Sequence, residues 1–232
     1  MTSNEKSSNE NKTITTENKT IPTTSTISTS ISTISTFKTS TSKISTSKVS
    51  TKKEISEKEI LDVVNEEDKI VGKASRIACH VDNTLIHRGV VIFLFDSNNR
   101  VFLTKRSETK TEYPNALDAS VAGHVLSGES YEQSAERELK EELNVSRVEL
   151  KKIGKFNCFT ALEREIETVF ACKFDGEIRL RETASGRFYS LKEASDAISF
   201  GNATPWLEGG WKFFKQFLSK EQKRESARKP TR

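Results

Sequence analysis

The sequence predicts an α+β domain, a mixed β-sheet with helices packed on its faces, preceded by a disordered tail. Three observations carry the prediction. Residues 1–55 are dominated by Ser, Thr, Asn and Lys with isolated Ile. The stretch "GVVIFLFDSNNRVFLTKRS" places two apolar, β-rich runs on either side of a turn. The stretch "SYEQSAERELKEELNV" repeats its apolar residues every four positions between a start and a stop signal.

Segment 1–55 has one aromatic, Phe37, and too little apolar surface to offset the entropy of ordering, so disorder is expected there. Residues 56–218 form the expected folded domain, large enough for a real core, and 219–232 a basic C-terminal tail. "EILDVVNEEDKIVGKASR" reads as strand, polar turn, strand. Val90–Phe95 and Arg100–Lys105 flank "DSNN" as a hairpin. "TEYPNALDASVAGHV" is a loop running into a short strand. In the helix that follows, Ser130 with Gln133 is a capping-box pattern. Tyr131, Ala135, Leu139 and Leu143 make its buried stripe. Asn144 stands where a left-handed cap would. "VELKKIGKFNCF" and "ETVFACKFDG" read as strands, "SLKEASDAI" and "WLEGGWKFFKQFLSK" as helices.

Charge and composition narrow the function. The net charge of +4 is an excess carried by the two end segments, which leaves residues 56–218 slightly acidic. No interleaved aromatic and basic pattern argues for a nucleic-acid reader, and no apolar run reaches the length of a membrane span. The first residues lack an apolar signal core. Three cysteines, Cys79, Cys158 and Cys172, have no metal spacing and suit a reducing compartment, so a cytoplasmic location is expected.

On the central helix Glu138, Glu141 and Glu142 crowd onto one face beside the apolar stripe. Like charges three and four apart destabilise a helix. The residues alone leave two readings, a solvated acidic face and a site for a hard divalent cation. Gly123 and Gly128 bracket the preceding loop, Glu129 precedes the helix, and Arg137 sits beside Glu138. With them the stretch resembles the Nudix box, G-x5-E-x7-R-E-U-x-E-E-x-G-U: Gly123, Glu129, Arg137, Glu138, Leu139, Glu141, Glu142, Asn144, Val145. Every charged position matches at its spacing. The departure is Asn144 for Gly, at the cap, where Asn is the next-best residue for positive φ. The resemblance implies an α/β/α sandwich around a mixed sheet and hydrolysis of a diphosphate joined to another moiety. It implies that Glu138, Glu141 and Glu142 bind Mg²⁺, with Arg137 and Glu129 orienting them.

The three histidines, His80, His87 and His124, flank this stretch. "ACHVDNTLIHRGVVIFLF", "YPNALDASVAGHVLSGES", "EREIETVFA" and "NATPWLEGGW" resemble segments of type I isopentenyl-diphosphate isomerase, a member of the same superfamily. With the box they cover most of residues 60–218. That resemblance implies a second metal site of His80, His87, His124, Glu163 and Glu165. Imidazole with carboxylate suits Mn²⁺, Zn²⁺ or Fe²⁺ better than Mg²⁺. Glu165 is also a candidate catalytic group. Trp206 matches the isomerase tryptophan, and Lys105 and Arg106 join it as candidate substrate contacts.

Two departures weigh against isomerisation. The isomerase carries a catalytic Cys before its Gly-His pair, where this chain has Ala122. "FNCFTALERE" has no Tyr where the isomerase has a catalytic one. The full R-E-U-x-E-E run is instead that of a hydrolase. The leading expectation is a Mg²⁺-dependent hydrolase of a small nucleoside or other organic diphosphate. An isomerase-like activity and an inactive Nudix binding module are the alternatives.

Overall fold

A computed structural model describes residues 59–228, Glu182 excepted. The expected disorder of segment 1–55 lies outside the described residues. β1 (Ile60–Val64) and β2 (Ile70–Ser75) pair antiparallel as a separate two-stranded sheet. β3 (His87–Phe95) and β4 (Val101–Lys105) form the expected hairpin. Its turn is closed by Asp96, whose Oδ1 accepts the backbone N–H groups of Asn98 at 2.9 Å and Arg100 at 2.8 Å. β5 (Leu117–Asp118), β6 (Val121–His124), β7 (Lys151–Phe159), β8 (Arg164–Lys173) and β9 (Ser185–Tyr189) complete a mixed sheet of order β5-β4-β3-β8-β7, with β6 beside β3 and β9 beside β4.

The central strand β3 is buried at almost every position because it has strands on both edges and a helix on each face. One edge pairs in parallel with β8 along its whole length, from His87–Glu165 to Phe95–Lys173. The other edge is divided. β6 takes Gly89–Ile92 and β4 takes Leu94–Phe95, so the sheet forks between them. Ser120 sits in the fork. Its Oγ accepts the Leu94 N–H at 2.7 Å and donates to the Phe102 carbonyl at 2.5 Å, which keeps the diverging backbone groups paired.

The acidic helix α2 (Tyr131–Leu143) begins and ends as its sequence implies. Ser130 and Gln133 make both capping-box bonds, and Asn144 takes φ 57°. Ala135, Leu139 and Leu143 are buried against Val90, Ile92 and Leu94 on one face of β3, each leucine stabilising the fold by about 1.5–3 kcal/mol. The alternate residues Val91, Phe93 and Phe95 face α4 (Pro205–Arg228) through Leu207, Trp211, Phe214 and Leu218. These are the α/β/α layers.

Three features depart from the sequence reading. A six-residue helix, α1 (Arg76–Val81), follows β2, capped by Ser75 Oγ accepting the Ala78 N–H at 3.2 Å. "SGRFY" forms the edge strand β9, paired with β4. Helix α4 does not stop at Lys220 but continues through Arg228, taking much of the basic segment with it. The helix α3 (Leu191–Ser199) appears where expected, with its own capping box of Ser190 and Glu193.

Candidate active site

The box helix presents a charge network built on Arg137. Its guanidinium grips Glu129 with two bonds, Nε to Oε1 and Nη2 to Oε2, both 3.0 Å. Nη1 donates to Glu138 Oε1 at 2.7 Å and Glu141 Oε2 at 3.2 Å, and Nη2 reaches the His124 carbonyl at 2.9 Å. Ser134 Oγ and the Leu126 N–H also donate to Glu129. Burial opposes ionisation of Glu129, but Arg137 and Ser134 hold its carboxyl below the ordinary range. Arg137 therefore absorbs part of the repulsion among the glutamates and ties α2 to the strand that carries His124. Glu138 lies flat on that strand. A Cβ at Gly123 would stand 2.3 Å from Glu138 Cδ, so only glycine admits the carboxylate there.

The histidines gather on the opposite face of the sheet, in register with β8. His87 pairs with Glu165, and Gly89 lies between His124 and Glu167. Glu165 Oε1 is 2.9 Å from His87 Nε2 and 3.0 Å from His124 Nε2, and His80 Nε2 is 3.1 Å from His124 Nε2. His80 arrives on α1, the helix absent from the sequence reading. The three imidazoles and Glu165 each offer a donor atom within 4.8 Å of the others. A tetrahedral ion with bonds of about 2.0–2.1 Å needs donors roughly 3.3–3.5 Å apart, and the contacts of 2.9, 3.0 and 3.1 Å come close to that spacing. Burial pushes the His124 imidazole down to about 3. Burial opposes ionisation of Glu165, yet the hydrogen bonds of His124 and His87 hold it well below the usual carboxylate range. Neutral imidazole and ionised carboxylate are the forms that ligate metal.

Glu163 is placed differently from its expected partners. Its Oε1 lies 3.5 Å from His80 Nδ1, on the far nitrogen of that ring, where Glu112 Oε1 also approaches to 3.2 Å. The four-donor group is thus His80, His87, His124 and Glu165, and Glu163 belongs with Glu112. Burial, with Glu165 and Glu112 nearby, raises the Glu163 carboxyl to about 10.

Both faces open into one cleft at the fork of the sheet. Glu138, Glu141 and Glu142 line it from the helix side, and His124 and Glu165 from the strands, with Glu163 just ahead of β8. Arg76, Arg106 and Lys110 contribute the facing cations. Ala122, Leu126 and Trp206 are its few apolar contributors. Trp206 is buried, its Nε1 donating to Asp118 Oδ1 at 2.6 Å, and Arg106 stacks over its ring at 5.1 Å. Lys105 is not in this cleft. It lines a separate surface groove with Asn115, Arg187 and Tyr189.

Sequence reasoning missed Glu167, Glu112, Arg76 and Lys110. Glu167 was within reach, since Glu163, Glu165 and Glu167 share the two-residue alternation of a strand; it is buried over Gly89. Glu112 and Lys110 sit in an irregular loop, where spacing carries no directional signal.

The fold has relatives among known proteins. The NUDIX domain family model matches residues 85–217, more than half of the chain. A Nudix hydrolase of Deinococcus radiodurans is 45% identical over 85 residues, 37% of this chain and 49% of that protein. The uncharacterised Nudix hydrolase YfcD of Escherichia coli is 33% identical over 122 residues, 53% of this chain and 67% of that protein. The chain spans about half the length of the first curated relatives it matches. The crystal structure of DR0079 from Deinococcus radiodurans superimposes with a TM-score of 0.59 at 29% identity, covering 68% of this chain and 98% of that one. With the box helix, the sheet and the family match in agreement, the chain belongs to the Nudix family.

Proposed function

We propose that the chain is a divalent-metal-dependent hydrolase of a diphosphate linkage in a small nucleoside or other organic diphosphate. The observation that carries this reading is the meeting of three box glutamates with Arg76, Arg106 and Lys110 in one cleft. Glu138, Glu141 and Glu142 would hold Mg²⁺ or Mn²⁺, which supplies charge neutralisation at the diphosphate oxygens and polarises the attacking water. Arg137 and Glu129 keep Glu138 and Glu141 oriented through the bonds described above. Glu141 and Glu142 stand on the cleft wall as acceptors for the water proton, with Glu165 a third carboxylate facing the same space. Arg76, Arg106 and Lys110 take the remaining phosphate charge. His80, His87, His124 and Glu165 would hold a second, transition-metal ion, for which Mn²⁺ or Zn²⁺ suits the donors. The enzyme works in the cytoplasm, without nucleic acid or membrane as partner; among the described residues no helix is long and apolar enough to cross a membrane.

The histidine group also favours a second reading, an activity resembling isopentenyl-diphosphate isomerisation. Against it stand the charged cleft and Ala122, whose methyl group cannot move a proton.

One experiment separates the readings. Wild type and Glu142→Gln are given a panel of diphosphates with Mg²⁺ or Mn²⁺, and phosphate or nucleotide release is followed alongside dimethylallyl product from isopentenyl diphosphate. Hydrolysis by wild type, lowered about 10²–10³-fold in the variant, supports the proposal. Dimethylallyl product from wild type without hydrolysis refutes it, and wild-type turnover in Glu142→Gln refutes the assignment of the box carboxylates.

A further inference from the structure

Glu112 lies outside the box and outside the segments that resemble the isomerase, yet its carboxylate is aimed at a histidine of the four-donor group. We propose that Glu112 is a positioning residue that sets the orientation and tautomer of His80, so that Nε2 faces the metal position. The inference rests on the transition-metal reading of that group.

The chemistry of imidazole requires a choice. A neutral ring has one N–H and one lone pair. His80 Nε2 points to His124, and His80 Nδ1 points to Glu112 and Glu163. Ligation by both nitrogens needs an imidazolate, so one side must carry the proton. On the Nε2 side two imidazoles and Glu165 complete a four-donor set. On the Nδ1 side stand two acidic side chains, Glu112 at 3.2 Å and Glu163 at 3.5 Å, of which Glu112 is the nearer acceptor for an N–H. Nδ1–H donating to Glu112 leaves the Nε2 lone pair for the ion, the arrangement by which a carboxylate behind a ligating histidine fixes its ring and raises its basicity.

Glu112 is itself braced. Arg106 Nε and Nη2 both donate to the Glu112 carbonyl, at 3.1 and 3.0 Å. Arg106 Nη1 is held by Asp118 Oδ2 at 3.0 Å, and Asp118 in turn by Trp206 and Thr204. The next residue, Tyr113, has φ 49°, a conformation unfavourable for a bulky side chain. Its ring packs edge-on against Trp206, with centroids 5.4 Å apart. A strained backbone persists only where its surroundings over-determine it. Here they fix the loop so that the Glu112 side chain meets His80. Arg106 and Trp206, expected to touch substrate, serve this bracing in addition to lining the cleft.

The test is a Co²⁺ titration of metal-stripped full-length wild type, Glu112→Ala and Glu112→Gln, read by the visible ligand-field bands and by bound metal per chain, with thermal midpoints of the stripped proteins as a folding control. With excess Mg²⁺ present to occupy the box carboxylates, wild type is expected to bind one Co²⁺ with bands of a nitrogen-rich, four-coordinate site. Glu112→Ala should bind about 10–100-fold more weakly with altered bands. Glu112→Gln, whose amide oxygen still accepts the Nδ1–H, should stay within roughly tenfold of wild type. Unchanged affinity and spectrum in Glu112→Ala overturn the inference while leaving the metal site intact. Two Co²⁺ in wild type falling to one in both variants also overturn it, since Glu112 would then be a ligand. No Co²⁺ uptake by wild type overturns the transition-metal reading and the inference with it.

Discussion

Replacing Gly123 with alanine tests how closely the box carboxylates are fitted. Gly123 does not need glycine for its backbone; the glycines with positive φ are Gly128 and Gly201 among those described. On backbone grounds alone, alanine would stabilise the fold by about 0.4–1 kcal/mol through the unfolded chain. The obstacle is steric. The new Cβ would lie 2.3 Å from Glu138 Cδ, 2.4 Å from Oε1 and 2.8 Å from Cγ, where ordinary contact begins at 3.4 Å. The Glu138 carboxylate must therefore retreat by roughly 1 Å, and a misplacement of about 1 Å in a catalytic constellation costs about 10²-fold, or roughly 2.7 kcal/mol of barrier. Glu138 is held by Arg137 at 2.7 Å, so the movement also disturbs the residue that orients Glu129 and Glu141. The assay is kcat/KM for diphosphate hydrolysis across a Mg²⁺ titration, in wild type, Gly123→Ala, Glu138→Gln and the double variant. Gly123→Ala should lose about two orders of magnitude and need more Mg²⁺, and the double variant should be little worse than Glu138→Gln, since both changes act on one carboxylate. Wild-type kinetics in Gly123→Ala, or losses that multiply in the double variant, would refute the fitted-carboxylate argument.

Two further outcomes are expected. His80→Ala with His87→Ala should abolish retention of Mn²⁺ or Zn²⁺ after dialysis, measured as metal per chain; retention by the double variant would remove the histidines from the site. Asp68 is bonded by Arg88 at 2.6 Å, by the Tyr131 hydroxyl at 3.1 Å and by Lys155. Burial opposes its ionisation, but Lys155 and Arg88 hold its carboxyl below the ordinary carboxylate range. A lowered carboxyl stabilises the fold above its unfolded value, and that stabilisation is lost as pH falls through the folded value. Asp68→Asn should therefore cost about 1 kcal/mol at pH 7, allowing for solvent screening, and less at pH 3. Equal costs in urea unfolding at the two pH values would show that its charge is not what stabilises the turn.

The elements written in local periodicity were legible in the sequence. Ser130, Gln133, the four-residue apolar stripe and Asn144 specify a helix with its own ends, because capping bonds and stripe close within a few residues of each other. The same locality sets Glu138, Glu141 and Glu142 around Arg137 on one helix, and the two-residue alternation of a strand puts Glu163, Glu165 and Glu167 on one side. Tertiary structure decided what depends on distant partners. The helix α1 is too short for periodicity to announce it, yet it delivers His80 to His124, 44 residues away. The division of β3's edge between β6 and β4 opens the cleft, and no single segment encodes a fork made by three strands. Along β4, Thr104 reaches the cleft and Lys105 does not, and which positions met the chemistry depended on what packed against each. The ring of His80 separates Glu163 from the four-donor group and joins it to Glu112, which sits in a loop with no period of its own. Spacing states which residues share a face; only packing states which faces meet, because contacts between remote segments are set by the core that brings them together.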